Sequence, residues 1–376
     1  MSEKYPFTLI KEEIARRKGE ALDFAVGTPP FPLSPDMSAW LKEHSELALI
    51  PGNRDDIGNF TAAAARFMSA QYGVEISPDD ILPTAGGRAA MAILAACTLS
   101  PSSTVVVTEP GYPAFARIAA QLGAGVVVSH LDRHNGFAPD FDYTDDLARG
   151  SLTMLAVNYP NNPSGSTLSP AVLEKLHSLS APGLTLFNDA TYGPLVYHAE
   201  PRSILSEDFP AAHQLDVVEL HSFSKLYPIG PLAVSFLAGS KDLLSAVSTY
   251  SEYAWSPLSR LQLVATAKCL EDRDRIRRFR EFLPQQLESL QAALARIGFR
   301  PYDSHSGTYV ICDVPQSIDG HKVSTAQGAA KLLMDEFDIA VVPLGNGEHS
   351  YLRFSALYRP RDLQRLIDLE SKLGVR

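Results

Sequence analysis

The fold is decided at Ser222-Phe223-Ser224-Lys225, where a short apolar stretch ends and an irregular loop begins. Residues 217–221 are mostly β-branched or apolar, which predicts a buried strand. Proline and glycine in residues 226–231 prevent a regular element from continuing. A lysine at such a junction would be partly removed from water, and this favours the neutral amine, the nucleophilic form of the side chain. Lys225 is therefore a candidate for Schiff-base chemistry.

A lysine that follows a strand can also be an ordinary solvated side chain, and two other segments bear on this choice. An apolar strand over residues 184–188 ends at Asp189, and Tyr192 follows three residues later. Another strand, ending at Val157, runs into a turn rich in asparagine and proline that contains Asn162. Asparagine, then aspartate and tyrosine, then lysine thus follow the carboxyl ends of predicted strands, in that order along the chain.

This combination resembles the fold-type I pyridoxal-phosphate enzymes, in particular the class I and II aminotransferase group, and the resemblance extends from Gly27 to Arg353. It implies an α/β fold in which a large domain over residues 35–255 holds a mostly parallel sheet of the seven-stranded type. A small α+β domain would combine residues 256–376 with an N-terminal arm over residues 1–34. The resemblance also implies pyridoxal 5′-phosphate as the cofactor.

The resemblance assigns a role to each of the polar residues at the strand ends. Lys225 would hold the cofactor in a Schiff base and, once an amino acid displaces it, act as the base at the substrate's Cα. Asp189 would keep the pyridine nitrogen protonated, so that the ring withdraws electrons from a carbanion. Asn162 and Tyr192 would share the phenolic oxygen O3′ of the cofactor. An aspartate after a strand can instead cap the following helix, and this alternative stays open.

Further cofactor contacts are expected from other strand ends. Glycines at the start of a long Ala- and Leu-rich helix let a phosphate approach free backbone N–H groups. By resemblance, the residues that hold the phosphate would be Gly86, Gly87, Arg88, Ser222 and Ser224. Tyr112, which follows a strand rich in valine, would stack on the pyridine ring. The alternative for Tyr112 is that it fills a gap under its loop.

Arg353 and Gly27 are the predicted substrate contacts, together with Asn162. Alternation along a strand places Arg353 on the side opposite Leu352 and Phe354, and its planar fork of donors matches an α-carboxylate. Gly27 begins a proline-rich loop that lies over the active site in related enzymes. The competing interpretations are a solvent-facing arginine on an edge strand and a plain proline-rich turn.

Two positions depart from the pattern of the group. Relatives bind the phosphate with an arginine about eight residues after the lysine, where this chain has Leu232 or Ala233. Relatives also often carry a tyrosine that reaches across the dimer, and residues 48–50 contain none. Arg88 is the nearest candidate to replace the missing cation, whereas Arg54 would either take a polar role at the interface or be solvated.

The implied function is an aminotransferase that moves the amino group of an L-amino acid to a 2-oxo acid. The alternative is another outcome at the same carbanion, namely elimination, cyclisation, decarboxylation or oxidation, as in specialised members of the group. A third interpretation is a non-catalytic binding or regulatory protein on this scaffold. The complete set of Asn162, Asp189, Tyr192 and Lys225 argues against the third interpretation.

Composition narrows the setting in which the protein works. The 376 residues include 33 Lys and Arg against 43 Asp and Glu, a net charge of −10, which argues against nucleic acid or an anionic membrane as a partner. Three distant cysteines and scattered histidines predict no metal site and a reducing cytoplasm. Residues 1–22 are too charged for a signal peptide. Because sites of this group are usually built from two subunits, the resemblance implies a homodimer.

Overall fold

A computed structural model describes residues 6–17, 20–27, 29, 31–139, 152–179, 183–206, 216–232, 234–345 and 347–376. Its α-helices, numbered α1 to α12 in chain order, are Pro6–Arg16, Pro35–Glu43, Arg54–Tyr72, Gly87–Thr98, Ala114–Gln121, Pro170–Ser178, Lys241–Ala254, Arg260–Glu271, Arg273–Ile297, Ala326–Phe337, Pro360–Asp368 and Glu370–Leu373. Its strands, numbered β1 to β14, are Leu22–Asp23, Ile81–Thr84, Thr104–Glu109, Gly125–His130, Leu152–Val157, Thr185–Asp189, Asp216–Ser222, Ser235–Gly239, Tyr309–Asp313, Ser317–Ile318, His321–Lys322, Ile339–Ala340, Val342–Leu344 and Tyr351–Ser355.

The largest sheet has seven strands in the order β2-β8-β7-β6-β5-β3-β4. Neighbouring strands are parallel except at β8, which is antiparallel to both β7 and β2. All the other strands therefore end at the same edge of the sheet. The α/β class with a mostly parallel seven-stranded sheet, predicted from the sequence, is confirmed.

Both faces of this sheet are covered by helices, as strands with continuous apolar runs require. On one face, helices α4, α5 and α7 share a buried cluster with Val218 and Leu237. On the other face, α3 packs against Phe236 and α6 packs against Leu186. Successive residues of one strand thus serve opposite faces, which is the period of two that a pleated strand imposes.

A second core surrounds the three-stranded antiparallel sheet β13-β14-β9. Leu22 and Phe24 of the N-terminal arm pack into this core, and β1 pairs in parallel with β12. Helix α9 serves both cores, because Phe279 packs with the residues under the large sheet and Leu290 packs with the second core. The domain boundaries at residues 34 and 255 stay a prediction.

The carboxyl-terminal edge of the large sheet positions the predicted site residues. The loops after β3, β5 and β7 carry Tyr112, Asn162 and Lys225, while β6 ends in Asp189 itself. Helix α4 begins at Gly87, three residues after β2. Ligands of parallel α/β sheets bind at this edge, because loops and helix N-termini converge there.

None of the described helices is both long and apolar enough to cross a membrane. Thr28 and Pro30 of the predicted substrate loop lie outside the described residues, as does Ala233, one of the two positions where the phosphate arginine was sought.

Candidate active site

A cavity of about 690 Å³ opens at the carboxyl-terminal edge of the large sheet. Every predicted site residue except Gly27 lines this cavity: Gly86, Gly87, Arg88, Tyr112, Asn162, Asp189, Tyr192, Ser222, Ser224, Lys225 and Arg353. These residues belong to separate strand ends in the sequence, and the fold brings them to one place.

Lys225 is presented by a tight turn whose neighbouring side chains are buried. The backbone N–H groups of Leu226 and Tyr227 donate to the carbonyl of Phe223 at 3.1 and 2.9 Å, and all three side chains are buried. Lys225 itself is half-buried, and its Nζ lies 6.0 Å from the centroid of the Tyr192 ring. The bulky neighbours therefore anchor the turn and leave the amine at the cavity.

Asp189 ends β6 with only 5% of its surface exposed. Its Oδ1 accepts hydrogen bonds from the backbone N–H and the hydroxyl of Thr191, at 3.1 and 2.6 Å. Burial raises the pKa of the Asp189 carboxyl above its ordinary value, and the bonds from Thr191 offset this only in part. A cation placed in the cavity would stabilise the ionised carboxylate.

Asn162 is oriented by contacts with distant parts of the chain. Its backbone N–H donates to the side chain of Asn158 at 2.9 Å, and Asn158 in turn donates to the carbonyl of Asp189 at 2.7 Å. The guanidinium of Arg353 donates to Asn162 Oδ1 at 3.2 Å. Because the amide oxygen accepts this bond, the amide nitrogen is the group that Asn162 can offer to a ligand.

Arg353 reaches the cavity through the alternation of β14. Leu352 and Phe354 point into the second core and are fully buried, so Arg353 between them points to the other side of the strand. Its guanidinium also donates to the carbonyl of Ala25 in the N-terminal arm, at 3.3 Å. The arginine is 7% exposed and is therefore not a solvent-facing side chain on an edge strand.

The N-terminus of α4 forms one end of the cavity. Gly86 precedes this helix with a φ of 94°, a backbone conformation that L side chains rarely adopt. The first N–H groups of a helix have no partner within the helix, so this end favours an anion. The hydroxyls of Ser222 and Ser224 lie 3.1 Å apart nearby, and the exposed side chain of Arg88 borders the same end.

Ser235, the first residue of β8, lines this end of the cavity although no sequence pattern singled it out. It lies opposite Ser222 in the β7–β8 pair, and its Oγ is 3.8 Å from the position that a Cβ on Gly87 would occupy. Ser235 is 1% exposed, and its hydroxyl has no hydrogen-bond partner in the described part of the chain. A buried hydroxyl of this kind is expected to bond to a ligand.

Tyr309, the first residue of β9, is a second lining residue that the sequence did not reveal. Its hydroxyl accepts a hydrogen bond from Tyr192 at 3.2 Å, and the guanidinium carbon of Arg353 lies 4.0 Å from its ring centroid. A Cβ on Gly27 would stand 2.6 Å from the Tyr309 hydroxyl. Gly27 therefore approaches the site through Tyr309 rather than as part of the cavity lining.

Positive charge dominates the lining of the cavity, in contrast to the net charge of −10 for the chain. Lys11 from α1 lies there with Arg88, Lys225 and Arg353, whereas Asp189 is the carboxylate among the described lining residues. This balance suits a ligand that carries a phosphate and a carboxylate together with one basic nitrogen.

The residues present fit pyridoxal phosphate. The helix N-terminus and the unpartnered hydroxyl of Ser235 suit its phosphate, and the buried carboxylate of Asp189 suits a protonated pyridine nitrogen. The amine of Lys225 suits its aldehyde, because lysines bind carbonyl groups covalently.

Comparisons with known proteins identify the family. The profile of the family described as aminotransferase class I and II matches residues 20–368. The chain is 27% identical to the LL-diaminopimelate aminotransferase of Methanocaldococcus jannaschii over 368 residues, which cover 93% of this chain and 86% of that protein. It is 23% identical to transaminase BacF of Bacillus subtilis over 374 residues, which cover 97% of this chain and 92% of that one.

Solved structures show the same fold. Substrate-bound BacF from Bacillus subtilis superposes with a TM-score of 0.88 at 23% identity, covering 100% of this chain and 96% of that one. A double mutant of Thermus thermophilus aspartate aminotransferase superposes with a TM-score of 0.81 at 21% identity, covering 99% and 97%.

The fold and the family match together define the class of protein. The chain belongs to the aminotransferase class I and II family, whose fold is the fold-type I architecture. It is a pyridoxal-phosphate-dependent enzyme that transfers amino groups, so the predicted family, cofactor and type of reaction are confirmed.

Proposed function

We propose that the cavity is the site of amino transfer between an L-amino acid and a 2-oxo acid. The observation that carries this proposal is the convergence of Lys225, Asp189, Asn162 and Arg353 on one cavity. When bound, pyridoxal phosphate supplies an aldehyde for attachment and a ring that withdraws electrons from the substrate's Cα. The remaining tasks, which are binding, orientation and proton transfer, belong to the side chains.

Lys225 attaches the cofactor and then moves the proton. Its amine is at the cavity on a hydrogen-bonded turn, so it would hold the cofactor's aldehyde there and would lie near the substrate's Cα once an amino acid takes its place. The free amine would then serve as the general base for the Cα proton and as the acid that returns this proton. Asp189 holds the ring nitrogen in its protonated form, because a buried carboxylate favours a cationic partner.

Arg353, Asn162 and Tyr192 orient the two reactants. The planar donors of Arg353 bind the substrate's α-carboxylate, and the carbonyl of Ala25 and the amide oxygen of Asn162 hold the guanidinium for that contact. The amide nitrogen of Asn162 and the hydroxyl of Tyr192 would donate to the phenolic oxygen of the cofactor. Tyr112, half-buried at the cavity, would stack on the ring.

The phosphate is held without the arginine that relatives place after the lysine. Backbone N–H groups at Gly86 and Gly87 and the hydroxyls of Ser222, Ser224 and Ser235 supply neutral donors. Arg88 supplies the cation, since it borders the same end of the cavity. Arg54 begins α3, is exposed and is not among the described lining residues, so it provides a matched control for Arg88.

The attachment of the cofactor can be tested directly. Reduction of the holoenzyme with borohydride followed by peptide mapping should place the cofactor's mass on Lys225. The variant Lys225→Ala should lose both the trapped product and the visible absorbance, whereas Lys241→Ala, at an exposed lysine on α7, should keep both. A colourless wild-type protein, or trapping at another lysine, would reject the proposed site.

Amino transfer at this cavity can be tested through its products. Incubation of the holoenzyme with amino acids and a 2-oxo acid acceptor should exchange amino groups. Stoichiometric release of ammonia, carbon dioxide or peroxide without exchange would favour elimination, decarboxylation or oxidation instead. Product identification also names the amino acid.

A homodimer is proposed from an exposed apolar surface formed by two adjoining segments. Leu49, which is 87% exposed, and Ile50 lie directly before Pro51, and Pro51 pairs with Ser259 in an isolated β-bridge. Tyr253, also 87% exposed, precedes Ser259 in the other segment. Exposed apolar side chains that form a contiguous patch mark interfaces between proteins. Light scattering should give a dimer for the wild type and for Leu122→Asp, directly after α5, and a monomer for the double variant Leu49→Asp, Tyr253→Asp. A dimer in the double variant would exclude this surface.

The cellular setting and the domains are proposed on simpler grounds. The three cysteines are free thiols, which is typical of a reducing cytoplasm. The shared core of Leu22 and Phe24 with the C-terminal sheet supports an arm over residues 1–34 that belongs to a small domain over 256–376, beside a large domain over 35–255.

A further inference from the structure

We infer that Tyr309 is a positioning residue with two functions, in which its ring holds the guanidinium of Arg353 and its hydroxyl holds the phenol of Tyr192. The inference rests on the proposed function, since it assumes that Arg353 binds the substrate's carboxylate and that Tyr192 serves the cofactor. Tyr309 belongs to β9 in the second core, whereas Tyr192 follows β6 of the large sheet. One side chain thus connects the substrate end of the cavity with its cofactor end.

The ring of Tyr309 fixes the plane of Arg353. The guanidinium carbon lies 4.0 Å from the ring centroid, and its donors reach Asn162 at 3.2 Å and Ala25 at 3.3 Å. An aromatic face attracts the guanidinium and limits its movement. The N–H groups in the plane of the guanidinium can then donate two parallel hydrogen bonds to a carboxylate. Both residues are nine-tenths buried, so the contact is little weakened by water.

The hydroxyl of Tyr309 competes for the proton of Tyr192. Tyr192 donates to it at 3.2 Å, and the rings meet edge to face with centroids 6.0 Å apart. Burial alone would raise the pKa of Tyr309, but the charges of Lys225 and Arg353 outweigh it and lower this pKa to about 7. Above this pKa Tyr309 is a phenolate, which accepts the hydrogen bond of Tyr192 more strongly than a neutral hydroxyl does. Tyr309 would thereby keep Tyr192 from donating fully to the cofactor's phenolic oxygen.

Gly27 is explained by the same arrangement. A Cβ on residue 27 would stand 2.6 Å from the Tyr309 hydroxyl and 3.3 Å from its ring carbon Cζ. The buried ring is held by Arg353 and Tyr192, so it has little room to move away. Glycine is therefore the residue that lets the N-terminal arm pass behind Tyr309. The substitution Gly27→Ala should displace the hydroxyl of Tyr309 and have the same effect as removing this hydroxyl.

Two kinds of substitution separate the functions of the ring and the hydroxyl. Tyr309→Phe keeps the ring, and we expect the Kd of an unreactive α-methyl amino acid for the holoenzyme to stay within about twofold. The same variant should move the pH titration of the visible chromophore downward by about one unit, because Tyr192 no longer donates to Tyr309 and no anion faces Lys225. Tyr309→Leu and Tyr309→Met remove the ring, and either should weaken the α-methyl amino acid about tenfold.

The control is Tyr302→Phe, which removes a hydroxyl that bonds to Asp313 at the end of β9. It should leave both the ligand's Kd and the chromophore titration unchanged. Equal effects of Tyr309→Phe and the ringless variants on both readouts, or no effect of any of them, would overturn the inference. A wild-type protein without visible absorbance would instead reject the proposed function, so the two failures are distinguishable.

Discussion

Two buried carboxylates on neighbouring strands have opposite environments. Asp189 on β6 faces the cavity, and the described hydrogen bonds to its carboxylate both come from Thr191. Glu219 on β7 is fully buried on the other face of the sheet, where it accepts hydrogen bonds from His221, Ser203 and Asn188. Burial acts on both groups, yet the pKa of Asp189 is raised and that of Glu219 is lowered.

The difference lies in what the chain itself supplies to each charge. The pKa of Glu219 is lowered because His221, Ser203 and Asn188 more than offset the desolvation that would raise it. The pKa of Asp189 stays raised because the two bonds from Thr191 and the charges of His221 and Lys225 offset its desolvation only in part. A carboxylate whose desolvation is fully offset within the fold supports stability, whereas one whose desolvation is offset only in part is available to a ligand.

The largest effect is expected from Asp189→Asn, which keeps the shape and removes the charge. The variant should fold and bind the cofactor, but the rate constant for amino transfer should fall by about 10³-fold, since charge developing in the reaction is no longer stabilised. Single-turnover kinetics on the purified holoenzyme measures this. The same rate loss in Glu219→Gln, expressed per folded molecule, would remove the distinction between the two carboxylates.

Glu219→Gln should affect stability instead. Removing one partner of a buried pair with His221 is expected to lower the free energy of unfolding by about 3 kcal/mol. Urea unfolding followed by circular dichroism gives this value, with Glu174→Gln on the exposed side of α6 as the control, expected within about 0.5 kcal/mol of wild type. A Glu219→Gln protein as stable as wild type would show that the network contributes nothing.

Arg88→Ala tests whether the cavity replaces the missing phosphate arginine. Loss of a charged hydrogen bond to phosphate should weaken the Kd of the cofactor about tenfold in reconstitution of the apoenzyme. Arg54→Ala should bind as the wild type does. Equal affinities in the two variants would assign the phosphate to backbone and hydroxyl donors alone.

The smallest effect is a difference in the pH dependence of stability. Between its lowered pKa and the ordinary value of 4.5, Glu219 binds fewer protons in the folded state than in the unfolded state. The stability it supplies is therefore present above 4.5 and is lost as pH falls below it. Asp189, with a raised pKa, binds more protons in the folded apoenzyme, so its contribution to stability decreases as pH rises above 3.8.

Glu219→Gln and Asp189→Asn should each remove one of these two opposite dependences of stability on pH. Urea midpoints of the apoenzyme between about pH 3.5 and 5.5 are the measurement. Glu219→Gln should lose less stability on acidification than the wild type, and Asp189→Asn should lose less as the pH rises. Slopes of the same sign for both groups would contradict the assigned pKa directions.

Much of the site could be predicted because its chemistry is local in the chain. Asn162, Asp189 and Lys225 each follow a strand whose apolar run is visible in the sequence, and parallel strands bring their carboxyl ends to one edge. The alternation of Leu352, Arg353 and Phe354 likewise predicts which side of β14 the arginine takes. In each case the residue and the element that positions it are within a few positions of each other.

The residues that the sequence did not reveal depend on contacts between distant segments. Ser235 reaches the phosphate end because β8 runs antiparallel between β2 and β7, and strand order across a sheet has no local signal. Tyr309 meets Tyr192 and Arg353 because the second core packs over the cavity.

The sequence by itself determined the chemistry at the strand ends, because hydrophobic periodicity and side-chain type are properties of neighbouring residues. Only the tertiary structure decided which carboxylate is satisfied. Asp189 and Glu219 both belong to strands with similar apolar sequences. The ionised form of Glu219 is more stable than that of Asp189 because the partners of Glu219, such as Ser203 and Asn188, come from other parts of the chain.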